Sequence, residues 1–555
     1  MKSKFVLAVV VVTAMFITGF YLAELTIQHN KSKGVFLFRP YSTISSSNID
    51  ILHYDLTVDL FPAQKLLVGK AVITGLFTEK NLKNFELDFF DNMNVASLYL
   101  NQTEAKYSHE KNKLRIYTEN QNRDTFVVSI SYEGTPKRLG FASFVFGKVN
   151  ERSLIHTLNE PDYAATWFPC NDVPDDKALL DIKIVSDTPN VSVSNGILVN
   201  KESNGNRKMY HWKTIYPIST YLICIYSSPY TEFYDSYISA NNDTMLITYF
   251  SVPENYEKAK IDWEDHPQMI KVFSELFGEY PFIKEKYGVA EFLWNYGAME
   301  HQTITGIGTN FISGKKFFTD TYVHELAHHW WGNAVGPKTW KDIWLNEGFA
   351  TYSEALYYEY LNGREALIST MLQKLHYSFD GRLYNPEDDL FSPTIYNKGA
   401  WVLHMLRHEV GDSSFFRILR EYIKKYKYKN ASTTDFIEVC ETVSGKKLTC
   451  FFDHWVYNSG GLINLDYRWK IVPKDSFYIL NLEIENSTYN GNSYNIPVEL
   501  SFQYDNEEDY IFKSVELKER NNVFTFKLDK RPNDVLLDPG NWLFAKIVDK
   551  NSYEK

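Results

Sequence analysis

The pattern of apolar and polar residues changes twice along the chain. From about Ile49 to Phe233, segments such as HYDLTVDLF and TFVVSISYEG alternate with a period of two, which predicts antiparallel strands. From about 255 to 460 the apolar residues recur at helical spacing, and after NSGG at 458–461 the alternation returns. The sequence therefore predicts a β domain at 49–233, a mostly helical domain at 234–460 and a small β-sandwich at 461–555.

The beginning of the chain is strongly apolar. Nineteen uncharged residues lie between Lys4 and Glu24, and a helix of that length reaches about 28 Å, close to the apolar thickness of a bilayer. We interpret residues 1–25 as an uncleaved membrane anchor, with a cleaved signal peptide as the alternative, and residues 26–48 as a polar linker. The short head before the segment favours a single-pass protein whose bulk faces outside the cytoplasm, although the flanking basic residues do not fix the orientation.

Composition and charge narrow the class of protein. The 555 residues are 44% hydrophobic and 23% charged, which is typical of a globular chain with several domains. The net charge of −11 argues against a nucleic-acid partner, which requires a basic surface. Four scattered cysteines do not form a disulfide framework or a thiolate zinc site; Cys440 and Cys450 either pair, in an oxidising compartment, or stay reduced. The sequence does not indicate an oligomeric state.

A pair of histidines lies in the helical region, in the segment TDTYVHELAHHWWGN. A helix places His324 and His328 on one face, so that both imidazoles point toward one position, and Glu325 lies beside it. This is the HExxH pattern, in which two histidines bind zinc and the glutamate accepts a proton from water. The alternative is a histidine-rich surface helix that matches by chance. His329 lies off the ligand face, on the helix surface or behind a ligand.

A catalytic zinc takes three protein ligands and keeps one position open. Glu347 is the candidate third ligand, because it lies in the first turn of a second predicted helix, WLNEGFATYSEALYYEYLNG. Eighteen residues separate it from His328, and they allow the chain to turn back so that the two helices face each other. The sequence predicts one Zn²⁺ per chain, held by His324, His328 and Glu347. Glu354 either orients a ligand histidine or is an exposed helical residue.

These motifs together resemble the zinc aminopeptidases of the aminopeptidase N and leukotriene hydrolase group. The HExxH motif with its third ligand, the GAMEH segment at 297–301 and TLNEPDYAATWFPCNDVPDDKALL at 157–180 follow the order of that family's motifs. The resemblance covers most of the chain after residue 48. It implies a multidomain α+β fold with an N-terminal antiparallel β saddle, a thermolysin-like, mostly helical catalytic domain and a C-terminal β-sandwich.

The resemblance also implies catalytic roles. Glu325 would act as the general base toward a zinc-activated water and later pass the proton to the leaving amine. Tyr396, in the segment IYNKGAWVLHMLR at 395–407, would donate a hydrogen bond to the oxyanion of the tetrahedral intermediate. The implied activity is hydrolysis of the N-terminal peptide bond of peptides. A zinc endopeptidase, a zinc epoxide hydrolase and a non-catalytic binding protein of the same fold are the alternatives.

Substrate binding is implied for two segments upstream of the zinc motif. Glu160 and Glu300 would bind the ammonium group of a peptide's first residue, which selects substrates with a free N-terminus. The backbone at Gly297, Ala298 and Met299 would run beside the substrate as an added strand. The sequence departs from the family pattern at His301, where the family has asparagine. We expect this histidine to affect the orientation of Glu300 and to add positive charge at low pH.

Overall fold

The computed structural model of the chain describes residues 48–118, 124–375, 381–386, 389–458, 461–488, 496–504 and 510–553. The predicted anchor at 1–25 and nearly all of the predicted linker lie outside these ranges. The chain divides into two compact units. The first unit is Met1–Trp340 with Ile423–Ala431, and the second unit is Lys341–Tyr422 with Ser432–Lys555.

The N-terminal part of the first unit is built from β-strands. Alternating residues of its central strand, among them Leu56, Val58 and Leu60, are fully buried, which accounts for the period of two in the sequence. The strands are β1 (Ile49–Phe61), β2 (Leu66–Phe77), β3 (Asn84–Asp88), β4 (Met93–Leu100), β5 (Thr103–Glu104), β6 (Tyr107–Glu110), β7 (Lys113–Tyr117), β8 (Thr125–Gly134), β9 (Ser143–Val149), β10 (Arg152–Leu158), β11 (Leu179–Asp187), β12 (Val191–Val193), β13 (Ile197–Asn204), β14 (Arg207–Lys213) and β15 (Tyr226–Ser228).

These strands form three sheets. The largest has the order β13-β14-β11-β1-β2-β8-β4-β5, and the others are β12-β15-β10-β9 and β3-β7-β6. The pairs are antiparallel, as the sequence predicts, except that β1 and β11 run parallel. The two parallel strands are far apart in sequence, so no tight turn constrains their relative direction.

A second β region of the first unit carries the helix with the HExxH motif. Its five-stranded sheet has the order β16-β17-β18-β20-β19, and a two-stranded sheet pairs β21 with β22. The short edge strand β19 pairs antiparallel with β20, with Met299 opposite Gly306. These strands are β16 (Thr231–Ile238), β17 (Thr244–Ser251), β18 (Tyr287–Phe292), β19 (Ala298–Met299), β20 (Thr305–Gly308), β21 (Val335–Pro337) and β22 (Lys429–Ala431).

The helices follow the β-rich N-terminal part. They are α1 (Tyr256–Trp263), α2 (His266–Phe277), α3 (Thr319–Ala327), α4 (Trp344–Asn362), α5 (Arg364–Gln373), α6 (Gly399–Val410), α7 (Asp412–Tyr426), α8 (Thr433–Ser444) and α9 (Thr449–Phe452). Short 3₁₀ helices cover Ala164–Thr166, Thr220–Leu222, Pro253–Asn255, Thr309–Phe311, Trp340–Asp342 and Lys550–Tyr553. Two π-helical turns cover Thr394–Lys398 and Asp453–Tyr457.

Two of these helices approach closely within the second unit. A Cβ atom added to Gly399, at the start of α6, would lie 2.8 Å from the Cα atom of Gly348 in α4. A Cβ atom added to Gly348 would in turn lie 3.0 Å from the Cα atom of Gly399. Both positions therefore require glycine, because any side chain would push the two helix backbones apart. Gly348 directly follows Glu347, so this crossing fixes the turn that carries the predicted third ligand.

The C-terminal part of the second unit is a β-sandwich. One sheet has the order β27-β24-β23-β29 and the other β26-β25-β28. The strands are β23 (Ile463–Pro473), β24 (Tyr478–Thr488), β25 (Ile496–Gln503), β26 (Tyr510–Leu517), β27 (Asn521–Leu528), β28 (Asp534–Leu537) and β29 (Ala545–Asp549). The rings of Phe502 and Phe526 meet across the two sheets at a centroid distance of 5.2 Å. The order of β region, helices and sandwich confirms the predicted multidomain α+β class, whereas the exact domain boundaries stay a prediction.

The structure corrects the predicted membrane localisation. No helix among the described residues is both long and apolar enough to cross a membrane. The 19-residue helix α4 has the length, but it contains Glu347, Glu354 and Glu359. The single-pass anchor and the outward-facing catalytic domain therefore find no support in the described residues, and residues 1–25, on which both rested, lie outside them. Cys440 and Cys450 are both free thiols in this structure.

The glycine crossing gives a test of the second unit. Replacing Gly399 with alanine should lower the free energy of unfolding of this unit by about 1–3 kcal/mol, since an overpacked contact forces the backbones apart. The measurement is urea unfolding followed by tryptophan fluorescence. Ser369→Ala, at an exposed position of α5, is the control and should leave the midpoint unchanged. Equal midpoints for Gly399→Ala and the control would show that the two helices tolerate a wider spacing.

Candidate active site

The two histidines of the HExxH motif lie at the end of α3. His324 is in its last turn and His328 is the residue at which the helix ends. Their Nε2 atoms are 3.1 Å apart, and the Nδ1 atom of His328 lies 2.9 Å from the carbonyl oxygen of Trp331. Donation of the Nδ1 proton to that carbonyl leaves the Nε2 lone pair of His328 facing His324.

The donor set of this helix fits a zinc ion. Two nitrogens bound at about 2.0–2.1 Å to one tetrahedral zinc are separated by about 3.3 Å, close to the observed 3.1 Å between His324 and His328. When both Nε2 atoms are unprotonated, the two lone pairs repel each other at this distance, and a cation between them removes that repulsion. Glu325 is 7% exposed and follows His324 directly, so the same helix turn carries a buried carboxylate.

His329 has a different environment from its neighbour. It is fully buried, and its Nδ1 atom lies 2.8 Å from the hydroxyl of Tyr280. Burial lowers the pKa of His329 well below its usual value, with a further contribution from the nearby His328. His329 is thus a neutral residue of the core, and the expectation of a place on the helix surface is wrong.

Glu160 and Glu300 come together in the first unit. Carboxylate oxygens of the two residues lie within 4.8 Å of each other, and the residues are 5% and 4% exposed. Two buried carboxylates at this separation repel each other strongly, and a cation between them is the arrangement that stabilises both as anions. The sequence motifs that carry them are 140 positions apart, so only the fold brings them together.

Backbone contacts hold the segments that carry the two glutamates. The side-chain amide of Asn333, in the loop after α3, donates to the carbonyl oxygen of Glu300 at 2.7 Å. The amide of Asn159 donates to the carbonyl of Ile223 at 2.6 Å and its oxygen accepts a hydrogen bond from the indole of Trp167. Asn159 thus fixes the turn before Glu160. Asn333 and Asn159 have no sequence signal that would assign them to the site, because a contact to a distant backbone carbonyl leaves no periodic pattern.

The structure corrects the expectation that His301 adds positive charge at low pH. The side chain is fully buried, and burial lowers its pKa to about 3, with a further contribution from His156. His301 is therefore neutral in the pH range in which an ordinary histidine titrates, around its usual pKa of 6.5. Its Nδ1 atom is 2.6 Å from the hydroxyl of Tyr226.

Glu347 and Tyr396 belong to the second unit. Glu347 is buried in the first turn of α4, as predicted, and Tyr396 lies in the π-helical turn Thr394–Lys398 that leads into α6. The glycine crossing of α4 and α6 therefore positions both residues. Glu354 is buried and forms an ion pair with Lys374 of α5 at 2.5 Å, so it is not an exposed helical residue.

Two family models match the chain. The peptidase M1 N-terminal domain matches residues 51–222, which include Glu160, and the peptidase family M1 domain matches residues 262–455, which include Glu300 and the HExxH motif. Together the matches cover more than half of the chain, in the order and at the places that the sequence motifs predict. The chain belongs to peptidase family M1.

Known proteins of similar sequence are aminopeptidases. The probable aminopeptidase 2 of Sulfurisphaera tokodaii is 28% identical over 357 residues, which are 60% of this chain and 45% of that protein. The glutamyl aminopeptidase of Bos taurus is 28% identical over 388 residues, which are 63% of this chain and 39% of that protein. The chain thus spans less than half the length of these two curated relatives.

Solved structures share the fold. Aminopeptidase A of Legionella pneumophila, in complex with aspartic acid, has a TM-score of 0.79 and 21% identity, covering 92% of this chain and 61% of that chain. The M1 zinc metallopeptidase of Deinococcus radiodurans, a mutant bound to a Tyr-Ser-Ala substrate, has a TM-score of 0.65 and 25% identity. That match covers 76% of this chain and 96% of that chain. The family comparison and the histidine pair of α3 confirm zinc as the cofactor.

The histidine pair gives a test of the metal centre. Replacing His328 with alanine should weaken zinc binding by more than about 100-fold, because loss of a direct ligand exceeds the 10–100-fold effect of residues that only support a ligand. The measurement is zinc content by mass spectrometry after dialysis against a competing chelator. His329→Asn is the control, and it should keep its zinc. Zinc retained by His328→Ala but lost by His329→Asn would contradict the assignment.

Proposed function

We propose that this chain is a zinc-dependent aminopeptidase that hydrolyses the N-terminal peptide bond of peptides. The observation that supports this most directly is the pair of buried carboxylates, Glu160 and Glu300, in the same unit as the HExxH helix. A hydrolytic zinc site does not by itself select the end of a peptide. Two carboxylates that bind a free ammonium group do select the N-terminal end of a peptide, because they fix the distance from the N-terminus to the cleaved bond.

The energy of this recognition is large enough to determine specificity. A charge-assisted hydrogen bond contributes about 1.5–3 kcal/mol. Two such bonds favour a free amine over a blocked one by roughly two to four decades in rate. A blocked N-terminus would in addition leave Glu160 and Glu300 buried beside an uncharged group. The edge strand β19 carries Ala298 and Met299 and offers a place where an extended substrate can add as a further strand.

We assign the metal ligands and the general base as follows. His324, His328 and Glu347 would hold the zinc, as the spacing of the sequence motif predicts. When bound, the zinc supplies a Lewis acid that makes water a nucleophile near neutral pH. Glu325 accepts the proton of the attacking water and later donates it to the leaving amine. Its position beside His324 on α3 supports this role.

Tyr396 would stabilise the negative charge that develops on the carbonyl oxygen. The phenol O–H donates a hydrogen bond. This bond is stronger to a negatively charged oxyanion than to the neutral carbonyl of the ground state. Losing one such donor costs about 2.7–4 kcal/mol in other enzymes. The π-helical turn that carries Tyr396 supports the assignment, since such turns are frequent at functional sites.

The known relatives support a peptide substrate. Two of them are named aminopeptidases, and the Deinococcus radiodurans structure holds a Tyr-Ser-Ala substrate. The alternatives are a zinc endopeptidase, a zinc epoxide hydrolase and a non-catalytic binding protein. The buried pair of carboxylates favours none of these, because none requires an ammonium site.

The amine site can be tested with matched peptides. We expect a peptide with a free N-terminus to be cleaved at least about 100-fold faster, in kcat/KM, than its acetylated form, because two charge-assisted hydrogen bonds are lost on acetylation. Replacing Glu300 with glutamine should reduce this preference by about tenfold or more. Glu257→Gln, an exposed residue of α1, is the control and should leave the preference unchanged. Equal cleavage of the two peptides by the unmodified chain would contradict the proposed function.

The general base can be tested separately from metal binding. The Glu325→Gln variant should keep one zinc per chain and lose at least about 10²-fold in kcat, because glutamine cannot accept the proton. Zinc content and initial rates are measured on the same sample. Glu365→Gln, at an exposed position of α5, is the control with normal turnover. Retained activity of Glu325→Gln would remove Glu325 from this role.

A further inference from the structure

The residue after Glu300 forms a buried hydrogen bond that the proposed mechanism does not use. The Nδ1 atom of His301 lies 2.6 Å from the hydroxyl of Tyr226, and their rings meet edge to face at a centroid distance of 5.6 Å. Both side chains are fully buried. The bond joins positions 75 residues apart, so it connects β15 of the N-terminal β region to the segment that carries Glu300.

Tyr226 contacts the strand pair β19–β20, and Glu300 directly follows β19. A Cβ atom added to Gly306 of β20 would lie 2.2 Å from the Tyr226 hydroxyl. Gly306 is the residue opposite Met299 in the β19–β20 pair. The hydroxyl therefore occupies the space beneath that pair, and a larger residue at 306 would displace it. From this position Tyr226 supports the backbone one residue before Glu300 through Gly306 and one residue after it through His301.

His156 packs on the other side of Tyr226. In the sheet, His156 of β10 lies directly opposite Tyr226 of β15, and the ring of Phe292 contacts both side chains. Neither ring nitrogen of His156, nor the Nε2 atom of His301, has a hydrogen-bond partner among the described residues. The hydroxyl of Tyr226 is thus the one polar contact that the described residues provide to the His301 imidazole.

The pair is neutral throughout the working range of an enzyme. Burial lowers the pKa of His301 to about 3 and that of His156 to about 3, and burial raises the pKa of Tyr226 well above its usual value. The neighbouring carboxylates Glu325 and Glu300 contribute to the shift of Tyr226. A neutral hydrogen bond beside two carboxylates can fix geometry without competing for the ammonium group, whereas a charged histidine would repel it.

We propose that Tyr226 and His301 are positioning residues that hold the Glu300 carboxylate in the direction needed to bind a peptide's ammonium group. This inference rests on the proposed function of Glu300. The side-chain amide of Asn333 donates to the Glu300 carbonyl and the backbone N–H of Ile304 donates to the His301 carbonyl, which fixes the path of the chain on either side. The Tyr226–His301 bond fixes the remaining freedom, the rotation of the segment about its own axis, because it acts on the side chain next to Glu300.

The test removes the hydroxyl group from one buried tyrosine at a time, in two separate variants. Tyr226→Phe should raise KM for a peptide with a free N-terminus by about tenfold and leave the slow cleavage of the acetylated peptide unchanged. Tyr230→Phe is the matched control, because its buried hydroxyl donates to the backbone carbonyl of Glu291 and not to the segment that carries Glu300. It should leave the preference for a free N-terminus unchanged. Zinc content and thermal unfolding are measured for each variant.

Substitutions at His301 separate positioning from simple packing. His301→Asn keeps a polar atom that can bond to the Tyr226 hydroxyl, and we expect a preference for the free N-terminus within about threefold of the unmodified chain. His301→Leu fills similar space without that atom, and we expect the preference to fall about tenfold. Binding of the free and acetylated peptides is also measured by calorimetry in the inactive Glu325→Gln background, where the ratio of the two Kd values should change in the same way.

The outcomes distinguish this inference from the proposed function. If the unmodified chain does not prefer a free N-terminus, the proposed function itself fails. If the unmodified chain has the preference and both Tyr226→Phe and His301→Leu retain it, the positioning role is overturned. Equal losses for the free and the acetylated peptide would also overturn it, because they would show a general structural effect. A profile of kcat/KM against pH whose acid limb moves in His301→Asn would contradict the neutral state of the pair.

Discussion

The constraint on which the site depends is the burial of charge. Glu160, Glu300 and Glu325 are each no more than 7% exposed. A carboxylate removed from water loses hydration free energy of several kcal/mol, and only cations or well-placed donors offset that loss. The zinc and the ammonium group of a substrate are the cations in the proposed function. The interior of the first unit is thus suited to bind positive charge.

The fold fixes the backbone segments that carry the functional side chains. Asn159 holds the turn before Glu160, Asn333 holds the backbone of Glu300, and the Trp331 carbonyl holds the imidazole of His328. Each contact directs a functional side chain without adding a charge that would compete with zinc or substrate. In the second unit, the glycine crossing of α4 and α6 has the same effect on Glu347 and Tyr396.

The parts of the fold and site that could be predicted are those with a local signal. The alternation of β1 and the i, i+4 spacing of His324 and His328 are visible in a few residues of sequence. The strands of the five-stranded sheet were not predicted within the helical region. Strand β18 is buried at every position, so it shows no alternation.

The bond between Tyr226 and His301 has no signal in the sequence, because a contact over 75 positions depends on the whole topology. The roles of Glu160, Glu300 and Tyr396 came from family resemblance, and they remain proposals for this chain.

The most direct test of the central claim is to identify the products of a peptide digest over time. A decapeptide with ten different residues and a free N-terminus is incubated with the zinc-loaded chain and sampled for mass spectrometry. We expect a ladder of products shortened by one residue at a time from the N-terminus, abolished by a chelator and restored by added zinc. Internal fragments that appear before the first N-terminal residue is released would contradict an aminopeptidase.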